Sequence, residues 1–256
     1  MKILLSLLIL YFGIPAQASP CSLVHEYQLT PNLRTVAIIA KISGFEKSQD
    51  LKDEIDTKEI SLRIVKRIQY PTSLPDTVFA RLYGHSADCR REYASSKDIP
   101  KSYPVGTEFL ILGQIDHSRR EHGKILDVDE SFIARNEFEG KPIYLSGSVA
   151  NFTKIANDME RCRVERIADC HNVWVAYEIA LAKMLQELSR SADIPVKKTI
   201  ILAILQPGLF QPLEVEAAIE LYFADESIKK EIRGIYKSRS DALKMKQKNR
   251  LSKKKL

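Results

Sequence analysis

Residues 35–42 read Thr-Val-Ala-Ile-Ile-Ala-Lys-Ile and end at Ser43-Gly44, a nearly unbroken β-branched and aliphatic run that predicts a strand buried on both faces. Residues 60–70 alternate instead. Ile60, Leu62 and Ile64 fall on one side and Ser61 and Arg63 on the other, and the phase changes near Val65 and Lys66 as it does at a bulge. A turn over 71–75, bracketed by Pro71 and Pro75, leads to a third strand over 76–85 through Val78, Ala80 and Leu82. Beyond a polar loop holding Pro100 and Pro104, residues 108–114 form a fourth strand and residues 143–149 a fifth. Five strands with irregular connections predict a small barrel or sandwich.

The second half changes period. Residues 171–190 place Trp174, Tyr177, Leu181, Met184, Leu185 and Leu188 on one helical face, with Asn172 as the N-cap; Trp174 and Tyr177 are read as core. Pro195 suits the first turn of a segment over 196–206 whose apolar centre fits either helix or strand. Gln211-Pro212 opens a helix reaching Phe223, and Ile228, Ile232, Ile235 and Tyr236 carry helical spacing over 227–237. From Lys237 onward the only larger apolar residues are Leu243, Met245 and Leu251, which predicts a tail that is a frayed helix or disordered. The class is therefore α+β: an N-terminal five-stranded β-barrel over 19–150, a small helical region over 151–236 and a basic tail over 237–256.

The first 18 residues stand apart. Lys2 begins a short positive region, residues 3–14 are apolar apart from Ser6 and Gly13, and Ala16-Gln17-Ala18 has the small-x-small form of a signal-peptidase site. Cleavage after Ala18 implies an exported protein, secreted or periplasmic. The apolar stretch is shorter than the roughly 20 residues a membrane-spanning helix needs, and no later segment is longer, so no span is expected after cleavage. Cys21 also raises lipidation, against which Pro20 argues. Export makes Cys21, Cys89, Cys162 and Cys170 candidates for disulfides. Three pairings are open. Cys21 with Cys89 and Cys162 with Cys170 is favoured, because each pair lies within one predicted unit. The rival reading of Cys162, Cys170 and His171 as zinc ligands lacks the short cysteine spacing and a fourth ligand.

Charge is uneven. The net +6 hides a tail with nine Lys or Arg against Asp241 alone, leaving about −3 on residues 19–236. Lys244, Lys246, Lys248, Arg250, Lys253, Lys254 and Lys255 are candidate polyanion-binding residues, since clustered cations attract phosphates and anionic head groups. The bland alternative is a solvated end.

The first half resembles the netrin-like module, the OB-fold domain shared by tissue inhibitors of metalloproteinases, complement C-terminal modules and small exported bacterial proteins. The resemblance lies in layout: Cys21 before the first strand, Cys89 after the third, and Gly106-Thr107-Glu108-Phe109-Leu110-Ile111 entering the fourth. It implies an OB-like barrel and a link between the early cysteine and the one after the third strand. In the inhibitors of that family an N-terminal cysteine chelates zinc. Here Ser19 and Pro20 precede Cys21, so the resemblance carries the fold and not that mechanism.

Catalytic signatures are absent from the sequence: there is no nucleophile elbow, phosphate-binding glycine loop or His-Glu-x-x-His. Asp127, Asp129 and Ser131 imitate a calcium loop, but Phe132 stands where glycine is required and Phe138 where the bidentate glutamate belongs, so an acidic turn is expected. His117 and His122 read as surface residues. Asn151-Phe152-Thr153 is a glycosylation sequon only in a eukaryotic source. No cofactor or metal is expected. The first expectation for function is a non-catalytic binding or inhibitory module for a protein or envelope component; the alternatives are attachment to an anionic surface through the tail, and an enzyme whose site carries no familiar signature.

Overall fold

The computed structural model describes residues 35–47, 58–69, 74–85, 91–93, 99–116, 125–165, 167–207, 209–210 and 212–253. The first half holds strands β1 (Thr35–Lys47), β2 (Lys58–Gln69), β3 (Thr77–His85) and β4 (Arg91–Tyr93), a short helix α1 (Ile99–Ser102), and strands β5 (Glu108–Asp116), β6 (Ile125–Asp129) and β7 (Ile133–Arg135). Five of these strands close on themselves. The order β1-β2-β3-β6-β5 returns to β1, every pairing being antiparallel except that of β3 with β6. The expected OB-like barrel is thus present, and closure removes the open edges that would otherwise invite pairing with another chain.

Its interior is filled by alternate residues of each strand. Val36, Ile38, Ala40 and Ile42 of β1 meet Ile60, Leu62, Val78, Ala80, Leu82, Phe109, Ile111, Leu126 and Val128 in one apolar cluster. Ile99 and Tyr103 cover one end, with Tyr103 edge-on to Phe109 at 5.5 Å. The intervening residues Ala37 and Ile39 belong to a second cluster built with the helices. This is why the first strand reads as apolar on both faces. The predicted bulge is realised at Val65: Ile39 pairs with Lys66 while Ala40 pairs with Ile64, leaving Val65 opposite nothing and 51% exposed.

Two sequence expectations for this half are corrected. Residues 143–149 are not a strand. Ser148 instead caps a helix, its hydroxyl accepting from the Asn151 N–H at 3.2 Å, and Val149 is that helix's first residue. The closing strand is β6, in the stretch read as an acidic turn. There Leu126 and Val128 point inward and pair in parallel with Ala80 and Leu82. Asp129 accepts from the backbone and hydroxyl of Ser131 to start a single 3-10 turn over Glu130–Phe132.

A small hairpin, β8 (Glu137–Phe138) and β9 (Lys141–Pro142), leads to helices α2 (Val149–Glu165), α3 (Cys170–Arg190), α4 (Ile194–Ile204), α5 (Pro212–Tyr222) and α6 (Glu226–Lys253). The ambiguous 196–206 segment is helical, started by Asp193, whose carboxylate accepts from Val196 N–H, with Pro195 in the first turn. Asn172 is not the N-cap of α3, which begins at Cys170. Cys162 and Cys170 lie at bonding distance, Cα atoms 5.6 Å apart, and join the end of α2 to the start of α3. The tail continues as helix: α6 runs unbroken to Lys253. Its first half is seated through Ile228, Ile232 and Tyr236, so nucleation is already satisfied and the Lys, Arg, Gln, Leu and Met that follow propagate the helix well.

The helical layer shares a core with the outside of the barrel. Phe152, Tyr177, Ile179, Met184, Ile201 and Ile219 join Ala37, Ile39, Leu110 and Ala134 in one cluster, so the residues called helical and those called β are not independent units.

Candidate functional site

Alternation along β2, β3 and β6 places Glu59, Ser61 and Arg63, Thr77, Phe79, Arg81 and Tyr83, and Asp127 and Asp129 on the outer face of the barrel, opposite the inward Ile60, Leu62, Val78, Ala80, Leu82, Leu126 and Val128. Register sets neighbours across this face: Ser61 beside Phe79, Arg63 beside Thr77, Arg81 beside Asp127 and Tyr83 beside Asp129. Arg81 is its electrostatic centre. Only 3% exposed, it directs Nε and Nη2 onto Glu59 Oε1 at 2.9 and 2.8 Å. A buried pair of this kind costs desolvation to form and is strongly destabilising to break singly, so it fixes the face rather than adding much net stability. Arg63 and Thr77 are exposed at its margin.

The helices take the other side. Their contacts with the barrel run to β5 and β7 and to β2, where Ile68 joins the helical cluster. OB barrels bind ligands on the face of their second and third strands and on adjoining loops. The corresponding connections here, 48–57 and 117–124, fall outside the described residues, and with them His117 and His122.

Of the cysteines, Cys162 and Cys170 meet as expected, using the two thiols a zinc site would have required. Cys21 and Cys89 lie outside the described residues. So do residues 1–18, for which a signal peptide is expected. His171 donates from Nε2 to the Ile133 carbonyl at 3.0 Å, which gives its ring a structural partner on β7. Trp174 stacks on Phe132 at 5.3 Å, and Tyr177 is fully buried in the core.

The candidate polyanion residues are carried on α6. Arg239 bonds the Leu202 carbonyl at 2.6 Å. Lys244, Lys246 and Lys248 follow as exposed side chains on a continuous helix, Arg250 and Lys253 continue its backbone, and Lys254 and Lys255 lie outside the described residues. Asp241 is the only acid among them.

Among the described residues no group of three His, Cys, Asp or Glu side chains is placed to hold a metal ion. One titratable group stands apart. Burial pushes the Glu178 carboxyl on α3 up to about 7. Sequence reasoning missed Glu178, for which helical spacing carried no signal, and it missed Arg81, a charged residue in a strand read as ordinary. No family model matches the chain, and no curated protein matches it.

Proposed function

We propose that the protein is an exported, disulfide-tied, non-catalytic binding module of netrin-like layout, which holds a protein or envelope component on the outer face of β2, β3 and β6. The observation that carries this reading is the position of the helical layer. It is seated against the far side of the barrel, so the face OB barrels use for ligands lies outside the shared core. Mixed charge around the Glu59–Arg81 pair, with Phe79 and Tyr83 half-buried beside it, suits polar recognition backed by aromatic area.

A photo-crosslinking residue at Arg63 or Thr77 of the mature protein, returned to its own compartment, tests the reading. The same adduct from both positions, and none from a control at exposed Glu231 on α6, is the expected result. Failure of both to yield an adduct, or equal adducts from the control, overturns it.

The second reading, attachment to an anionic surface, is favoured by α6 itself. A continuous cationic helix extending past Tyr236, the last of its described residues to join the apolar core, presents lysines without competing carboxylates beyond Asp241. Removal of residues 240–256 spares the Arg239 contact and is expected to abolish salt-sensitive retention on heparin and sedimentation with anionic vesicles. Unchanged retention and sedimentation sink this reading.

A further inference from the structure

The hairpin of β8 and β9 stands over one face of α2 and leaves a groove of about 220 Å³ between them. We propose that this groove binds a small ligand pairing an anionic group with an aromatic or aliphatic one, of the size of a single aromatic carboxylate. The site is distinct from the outer barrel face and does not depend on it.

The walls are organised by an unusual turn. Glu139 and Gly140 both have positive φ, 48° and 72°, the combination of a two-residue type I′ hairpin. Asn or Asp is the ordinary residue at the first of these positions, and a glutamate there carries backbone strain. Glu139 is held in place by an ion pair: its Oε2 accepts from Arg161 Nη2 at 2.6 Å. The Arg161 guanidinium lies over the Phe138 ring at 5.3 Å and approaches Asp158 at 4.0 Å. Arg161 in turn precedes Cys162, which is bridged to α3. One end of the groove is therefore closed by a fixed cluster in which a single guanidinium serves two carboxylates.

The other cations have no such engagement. Lys141 and Lys154 line the groove from the hairpin and from α2, and among the described residues neither side chain forms a hydrogen bond or ion pair. Three cations against two carboxylates leave one net positive charge, and it resides on these lysines because the carboxylates face Arg161. Between the charges the lining is apolar, from Phe138, Ile143 and Ile155, and Tyr144 stands 72% exposed at the lip. Asn151 and the five charged side chains make the rest of the lining polar, so the concavity is about evenly polar and apolar and suits a ligand that carries both kinds of group. This volume falls below that of sites for drug-sized ligands, roughly 300 Å³ and upward, so one ring with its anionic group is the size that fits.

The test uses the full mature chain with N-acetylphenylalanine as probe, followed by methyl and backbone NMR. Shifts confined to Ile143, Ile155 and Tyr144 are expected. N-acetylphenylalaninamide, lacking the charge, and acetate, lacking the ring, are each expected to bind at least about tenfold more weakly, and so is N-acetylphenylalanine to the Lys141→Gln, Lys154→Gln double variant. Both lysines are surface residues, so the variant's unfolding midpoint serves as the control for folding. A peptide ending in phenylalanine distinguishes a chain terminus from a free acid: tighter binding than the single residue assigns the groove to the terminus, and equal binding assigns it to the small molecule. Equal affinity for acid and amide, or an undiminished response in the double variant, overturns the proposal, as does the absence of any shift with millimolar probe.

Discussion

Asn172, in the first turn of α3, accepts a hydrogen bond through Oδ1 from the backbone N–H of Arg135 in β7 at 3.0 Å. This is a direct polar link between the helical layer and the barrel, made by a side chain that is 7% exposed. Asn172→Ala leaves that N–H without its acceptor and is expected to cost about 1–3 kcal/mol in urea unfolding. Asn172→Asp retains an acceptor near a helix N-terminus, where negative charge is favoured, and is expected to recover most of the loss. An alanine variant as stable as the parent would show that the link is not holding the layers together.

Glu178 makes stability depend on pH. Its carboxyl rises from an ordinary 4.5 to about 7 in the folded chain because burial disfavours the charge. Below about 4.5 it is protonated in both states and contributes no penalty. As pH climbs from there to about 7, the unfolded chain releases a proton that the folded one retains, and stability falls. Above 7 the penalty is complete, on the order of 3 kcal/mol. Glu178→Gln is therefore expected to match the parent near pH 4.5 and exceed it at pH 8 by that amount. An identical difference at both pH values contradicts the assignment.

The Cys162–Cys170 bridge spans a sequence separation of 8, for which the chain-entropy model gives about 2.5 kcal/mol. The double serine variant is expected to lose roughly this relative to the oxidised parent, and reductant is expected to cost the parent more than the variant by the same amount. A parent whose melting ignores reductant does not form the bridge.

Gly113 and Gly147 separate two kinds of crowding. A Cβ on Gly113 would lie 2.9 Å from the Asp127 carbonyl and from Val128 Cγ2, against the backbone of the strand that closes the barrel. A Cβ on Gly147 would meet only the far ends of Lys183 and Glu187, at 2.6 Å, and these can swing aside. Gly113→Ala is expected to cost about 1–3 kcal/mol, and Gly147→Ala less than about 0.5. Equal losses in thermal unfolding would overturn this reading of the β5–β6 contact.

How legible the chain was depended on the range of the interaction behind each feature. Alternation marked β2 and β3, and even the bulge at Val65, because inward and outward positions differ locally in polarity. The α3 stripe was legible for the same reason. β6 was not: its five residues, Ile-Leu-Asp-Val-Asp, look like an acidic turn until β3 lies alongside in parallel, a pairing between segments far apart in sequence. The period of Phe152, Ile155, Ala156, Met159 and Cys162 could have revealed α2, yet its charged residues obscured it. For the candidate sites, the tail's cations were plain from composition. The Glu59–Arg81 pair and the groove beneath the hairpin required strand register and the packing of α2 to bring their members together.

By itself, then, the sequence determined the α+β class, most strand and helix positions and the concentration of positive charge at one end. These follow from local periodicity, local propensity and local composition. Tertiary structure decided the closing of the barrel through β6, the sharing of one core between barrel and helices, the helicity of α6 to Lys253 and the placement of Arg161 beside Glu139. Each of these depends on contacts between distant segments, whose free energy appears only once the chain has brought them together.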